Sequence, residues 1–347
     1  MASILDNDLH WATLTQVVDN RPRKVGALSE LLFSRSVTLP TEHIEIDTLE
    51  GDRAMAPFVK KNGEALYVGG LSTQRHLVEA PNIRIKRGFH ASELMSTRRP
   101  GTGIFPERGA MASARQRYIA DELDYMVTQI EHREEWMASQ ALRGSISYSD
   151  EIGDSWQITF PRLASHDTTA GAAWADGTDM RATFMDVSET MAESQGASPD
   201  IVILGSNARD AFMSNTQVMN DLDRLNFNVG SFDIQKYRGM GMLRLGRFMD
   251  IEVWTYPRTL PADGGGTYDL IRPDYAEFIH LGEASDNVAY YAAIADMDAN
   301  ATGIFEGRRF SKSWYTEDPS SYTVLTASRP LFVPRKPNAF FSLDTSQ

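Results

Sequence analysis

From Pro106 to Arg143 the sequence carries an almost unbroken helical pattern, and a helix of that length constrains everything packed around it. Proline sits in the first turn and Gly144 just past the end, as helix termini favour. Ile119, Leu123, Met126, Ile130, Met137 and Ala141 recur mostly at three- and four-residue steps, so one stripe is suited to burial. Other faces carry Arg115, Asp121, Asp124, Glu131 and Glu135. At 1.5 Å per residue the helix spans roughly 55 Å, far above the usual ~11 residues. Its heptads break at His132 and Ser139, which argues against a coiled coil.

The flanking segments are extended. Residues 1–49 hold a short amphipathic stretch around Leu9, Trp11, Leu14 and Val17, the polar "DNRPRK" and the apolar "LSELLF", which suggests an arm with short helices. "HIEIDTLEG" alternates as a strand does. In "APFVKKNGEALYVGG" the residues Lys61, Asn62 and Gly63 read as a hairpin tip, and "NIRIKRGF" reads as a half-exposed strand. Two such runs with little apolar bulk make no core of their own, so the hairpin must lie on something.

Beyond Gly144, "SISYSD" and "SWQITFP" flank the turn "EIGD" as a second hairpin. A polar linker, "SHDTTAGAAWADGTD", leads to the helix "MRATFMDVSETMAESQG", with Phe184, Val187 and Met191 on one face. The strand "DIVILG", the capped helix "SNARDAFMSN", the strand pair in "MGMLRLGRFMDIEVWTYP" and the hairpin "PADGGGTYD" complete an α/β unit. Strands resume at "NVAYYAAIADMD". The late stretch "KSWYTEDPSSYTVLTASRPL" alternates Tyr322, Val324 and Thr326 with little disorder-prone composition, so it is expected to be tied down on the body.

With 347 residues, 42% hydrophobic and 10% aromatic, the chain can bury a sizeable core. No window approaches the ~18 apolar residues of a spanning helix, and "MASILDNDLHWATLTQ" lacks a basic flank followed by an apolar core, so neither a membrane span nor a secretion signal is expected. The absence of cysteine removes disulfides, thiolate nucleophiles and thiolate metal sites. A net charge of −13 argues against general affinity for nucleic acid. The charge is uneven: residues 60–108 hold nine basic and four acidic residues, residues 179–300 nine basic and nineteen acidic. A basic segment on an acidic chain is expected to meet an anion or another copy of the chain.

Signals of enzyme chemistry are isolated. "IVILGSNARDAF" offers a helix N-terminus after Gly205, but with neither G-x-G-x-x-G nor a Walker lysine it reads as a βα turn capped by Ser206 or Asn207. "GGGTYD" reads as a hairpin tip. His132 with Glu131, Glu134 and Glu135 lacks the second histidine of a zinc site and reads as a solvated or subunit-facing stripe. His166 beside Asp167 has no nucleophile elbow. Asp296 and Asp298 read as surface carboxylates. No catalytic, cofactor-binding or metal-binding residue is assigned, and no cofactor is expected.

Three stretches together carry a family resemblance. They are "YYAAIADMDANATGIFEGRRFSKSWYTEDPSSYTVLTASRPLFVPRKPNAFFSL", "TEHIEIDTLEGDRAMAPFV" and the helix ending "EHREEWMASQALRG". With the order of elements, they resemble the major capsid protein of lambda-type tailed phages, the E-protein family, with the Hong Kong 97 fold. The resemblance implies an α+β architecture. Residues 1–49 would form an N-terminal arm and first strand, 50–105 an E-loop hairpin, 106–177 the spine helix and peripheral-domain strands, and 178–287 an axial α/β domain. Residues 288–347 would complete the peripheral domain, with 312–331 closing a sheet begun near residue 41. Lys60 and Lys61 lie in the loop that carries cross-links in the prototype, but lambda-type proteins lack that chemistry and none is expected.

The function so implied is not enzymatic. It is self-assembly as hexamers and pentamers into the icosahedral head of a double-stranded DNA phage, located in the virion and, during assembly, in the host cytoplasm. The implied partners are portal and scaffolding proteins and a decoration protein, with DNA enclosed without sequence-specific binding and no membrane. Arg84, Lys86 and Arg87 are expected to lie over an acidic face, Asp121, Asp124 and Glu131, of a neighbouring subunit's spine helix. The rivals are a bacterial encapsulin-like nanocompartment shell and a soluble α/β hydrolase or nucleotide-binding enzyme.

Overall fold

A computed structural model describes residues 14–16, 18, 26–50, 72–90, 108–149, 155–221, 234–262, 265–284, 286–297, 303–318 and 321–346. Helix α1 (Ala27–Leu32) and strand β1 (Arg35–Thr38) precede a hairpin, β2 (His43–Glu50) and β3 (Ser72–Glu79), and then β4 (Ile83–His90). Helix α2 (Arg108–Leu142) is the spine. It leads to the hairpin β5 (Ser145–Ser149) and β6 (Ser155–Thr159), and to β7 (Asp167–Thr169). The α/β segment runs through α3 (Met180–Gln195), β8 (Ile201–Leu204), α4 (Ser206–Ser214), α5 (Thr216–Asp221), α6 (Ile234–Gly239), β9 (Leu243–Phe248) and β10 (Ile251–Thr255). It continues with β11 (Thr259–Pro261), β12 (Thr267–Asp269), β13 (Tyr275–Ile279) and α7 (Leu281–Ala284). The rest holds β14 (Val288–Tyr291), β15 (Ile294–Ala295), β16 (Ile304–Phe305), β17 (Phe310–Thr316), β18 (Ser321–Ser328), β19 (Pro330–Val333) and β20 (Phe340–Asp344).

The spine ends where its sequence says it should, with Gly144 at φ +88° just beyond the last turn; the expected start at Pro106 lies outside the described residues. All six residues of the expected stripe are buried. The two halves of the helix are covered by different partners. Ile119, Leu123 and Val127 pack with Leu14, Val18, Phe89 of β4 and Val324 of β18, whereas Met137, Ala138, Ala141 and Leu142 pack with α1, β14 and β19.

The late strands β17 and β18 are tied down on this body, but not by the partner expected for them. β18 pairs antiparallel with β4, Ser321 opposite His90 through Ser328 opposite Ile83, and β17 lies on its other side. The strand beginning at His43 pairs with β3 instead. "NIRIKRGF" is therefore a strand of the tail's sheet and not a limb of the hairpin. β19 joins a separate three-stranded sheet, in the order β1-β14-β19.

The α/β segment is centred on a six-stranded sheet in the order β7-β20-β13-β8-β10-β9. β8, "IVIL", is buried along its whole length, as a strand covered on both faces must be. Two strands come from outside 178–287, β7 before it and β20 after it, so the strands of residues 288–347 divide between this sheet and others. Helix α3 begins with the Asp179 side chain accepting from the Arg181 and Ala182 N–H groups, ends at Gly196 in the left-handed region, and buries Phe184, Val187 and Met191 as their spacing predicts. The hairpins β5–β6, β9–β10 and β11–β12 all form where the sequence places them. In β9–β10 the two turn residues, Met249 at φ 49° and Asp250 at φ 73°, take the positive-φ pair that a type I′ turn requires.

Candidate assembly surfaces

The β2–β3 hairpin runs in register from His43 opposite Glu79 to Glu50 opposite Ser72, and among the described residues no third strand joins it. A two-stranded ribbon alone is marginal in water. Its root, however, is fastened. Ile44 is fully buried in the main core and Val78 packs against it. Arg329, in the link between β18 and β19, places Nη1 2.9 Å from Glu42 Oε1 and Nη2 3.3 Å from Glu79 Oε1. The same guanidinium donates to the carbonyls of Ala80 at 3.3 Å and Ala293 at 3.4 Å. The backbone completes the joint, with the Ala293 N–H donating to Thr41 O and the Ala292 N–H to Arg329 O. Beside the root lies a groove of about 770 Å³ between Leu77–Asn82 and the β5–β6 hairpin. Tyr148 and Trp156 stack there at 5.4 Å, with Trp156 45% and Leu77 66% exposed. Burial raises the Tyr148 pKa, with Glu79 pushing the same way and Arg329 opposing.

The acidic row on the spine is not the solvated stripe that its composition suggests. Glu131, Glu134 and Glu135 are all buried. Arg309 Nη2 lies 3.3 Å from Glu131 and 3.5 Å from Glu134, and Arg308 lies 3.5 Å from Glu134 while its Nε donates to the Tyr291 hydroxyl at 2.9 Å. Charges this deep persist only where opposite charges and hydrogen bonds replace water. Glu135 turns the other way and accepts from the N–H groups of Leu28 and Ser29. Burial raises its pKa, against the lowering effect of those two N–H groups. Burial also lowers the pKa of His132, whose Nε2 is 3.3 Å from an Arg258 nitrogen.

The six expected contact residues fall in different environments. Arg84 and Lys86 are on the exposed positions of β4. Arg84 lies 3.7 Å from Asp296 of its own chain. Arg87 reaches Glu122 of its own spine at 3.2 Å, because β4 is laid along α2 by the β18 pairing. Asp121 is exposed and Asp124 half-buried, whereas Glu131 points inward to Arg309 and shares no outer face with them.

The family model for phage major capsid protein E matches residues 10–345. The chain belongs to that family. The major capsid protein of Enterobacteria phage P21 is 24% identical over 317 residues, covering 90% of this chain and 91% of the relative. The crystal structure described as the capsid protein of an Escherichia coli CFT073 prophage superposes with a TM-score of 0.76 at 17% identity, covering 97% of this chain and 99% of that one. The capsid of Cyanophage A-1(L) matches at a TM-score of 0.52 and 12% identity over 94% of each chain. The α+β fold is thus the phage capsid fold of the Hong Kong 97 type. As a member of the E family, the chain is the major capsid protein of a tailed phage, a structural component of the virion and not an enzyme, and it assembles into a capsid. The family match decides against the nanocompartment shell.

In this capsid protein the enzyme-like signals have structural uses. The helix after Gly205 has no side-chain cap: Pro273 O accepts from both the Asn207 and Ala208 N–H groups, filling the position an anion would take. His166 is buried, with Nε2 2.6 Å from Ser194 Oγ and Nδ1 3.2 Å from Phe340 O, while Asp167 pairs with Arg162. Burial lowers the His166 pKa. Asp296 is buried rather than superficial and binds Lys312 at 2.7 Å; Asp298 lies outside the described residues. Among the described residues no helix is long and apolar enough to cross a membrane. Sequence reasoning missed Arg329 and the Arg308–Arg309 pair. The available signal was a single arginine between two strands in "TASRPLF" and adjacent arginines in "EGRRF".

Proposed function

We propose that the protein assembles as hexamers and pentamers into an icosahedral head that encloses double-stranded DNA. The observation that supports this most is the β2–β3 ribbon, rooted on the body yet joined by no third strand among the described residues. Such a ribbon gains lasting burial on a second copy. Repeated head-to-tail contacts that close on themselves give rings, and rings multiply modest pairwise energies. The acidic balance of the chain suits an interior that encloses DNA by confinement, without sequence-specific contacts. Assembly in the host cytoplasm, with portal and scaffolding proteins and a decoration protein outside, belongs to the same reading.

Lys86 and Arg84, on the exposed positions of β4, are proposed to meet Asp121 and Asp124 of a neighbouring spine. Electron microscopy of the overexpressed protein tests the whole reading, with shells or capsomers expected and a monodisperse monomer overturning it. Reversing Arg84, Lys86 and Arg87 to glutamate should impair shell formation. Normal shells from that variant would remove the charge contact alone.

A further inference from the structure

We infer that Arg329 is a positioning residue for assembly, one that sets the direction in which the β2–β3 hairpin leaves the body. The inference rests on the self-assembly reading above. Glu42 immediately precedes β2, and Glu79 closes β3 opposite His43, so one guanidinium spans both legs at the lowest rung of the ladder. The carbonyls of Ala80 and Ala293 fix the same group from the body side. A planar fork with five donors can serve two carboxylates and two carbonyls at once, and a lysine ammonium cannot.

The partners indicate orientation more than folding. The Arg329 side chain is 7% exposed, but those of Glu42 and Glu79 are 51% and 66% exposed. Ion pairs to carboxylates so open to water contribute little to stability. Ile44 and Val78 already hold the root in the core, so the apolar contacts fix where the hairpin starts. Its angle is a separate matter. The ladder has eight residue pairs, which at ~3.4 Å per residue carry its far end about 27 Å from the clamp, so a swing of about 20° displaces that end by about 9 Å. A displacement of that size exceeds the separation of neighbouring strands, ~4.8 Å, and would misplace every contact the hairpin makes with another copy.

The test is the double variant Glu42→Gln/Glu79→Gln, which keeps Arg329 and its two carbonyl contacts. Particle formation is followed by light scattering and electron microscopy across protein concentration, and thermal unfolding is measured on the unassembled protomer. The expected result is a Tm within about 2 °C of wild type with the concentration needed for shells raised roughly tenfold or more, or with irregular particles. Glu42→Asp/Glu79→Asp should recover part of the assembly, and Arg329→Lys should not. Assembly of the glutamine variant at the wild-type concentration would overturn the inference. So would loss of its folded protomer, which would make the clamp a folding element. A wild-type protein that forms no particles would count instead against the self-assembly reading.

Discussion

Glu135 on the spine helix accepts a 2.8 Å hydrogen bond from the backbone N–H of Leu28, 107 positions earlier in the chain, and a second of 2.9 Å from Ser29. It thereby caps α1, whose own N-cap residue is Gly26 with no side-chain acceptor. Replacing Glu135 with alanine strands two buried donors. The expected cost is about 3 kcal/mol, read as a lower urea midpoint of the unassembled protomer, with Glu135→Gln in between.

Glu135 also gives stability a pH dependence of definite sign. Burial raises its pKa above the ordinary 4.5. Its contribution is therefore fully present below that value and is lost as pH rises through the folded pKa. Urea titrations of wild type and Glu135→Gln carried upward from pH 4.5 should show a declining term in the wild type that the variant lacks.

His166 contributes a slope of the opposite sign. Burial lowers its pKa from 6.5, so the native state holds the neutral ring while an unfolded chain would take up a proton. Stability from this group is present above pH 6.5 and falls as pH drops toward the folded value. Wild type minus His166→Gln, measured by thermal unfolding from about pH 7 to pH 5, should isolate that loss.

Gly205 is required for space and not for an anion. A Cβ there would stand 2.0 Å from Arg272 O and 2.5 Å from Pro273 O, both backbone atoms that cannot swing aside. Gly205→Ala is expected to destabilise the six-stranded sheet by about 3 kcal/mol, measured by chemical denaturation or seen directly as insoluble protein.

The turn at Met249 and Asp250 should be improvable. Both residues hold positive φ, a region that glycine, Asn and Asp tolerate but a methionine occupies only with strain. Met249→Asn with Asp250→Gly is expected to stabilise the protomer by about 1 kcal/mol, visible as a rise of a few degrees in Tm.

Local signals carried much of this fold. Gly144 ends the spine, the Phe184, Val187 and Met191 face is the buried one, and the unbroken "IVIL" is an interior strand. Pairings across long separations left no such mark. Strands β4 and β18 both alternate, but nothing local to Ile83 or Ser328 says that they are opposite each other. The same holds for charge. Three carboxylates within five residues of a helix look hydrated until arginines from 174 to 178 positions away are placed against Glu131 and Glu134. The clamp at the root of the hairpin left no local signal, because Arg329 lies 250 positions after Glu79 and further still from Glu42.

The interleaving of β20 between β7 and β13, and of β18 between β17 and β4, has a temporal meaning. Neither sheet can close during synthesis before its interleaved strand has been made, and in the larger one Ser342 stands opposite Asp167, 175 positions earlier. A nascent chain that lacks these strands thus lacks the finished surfaces on which shells grow.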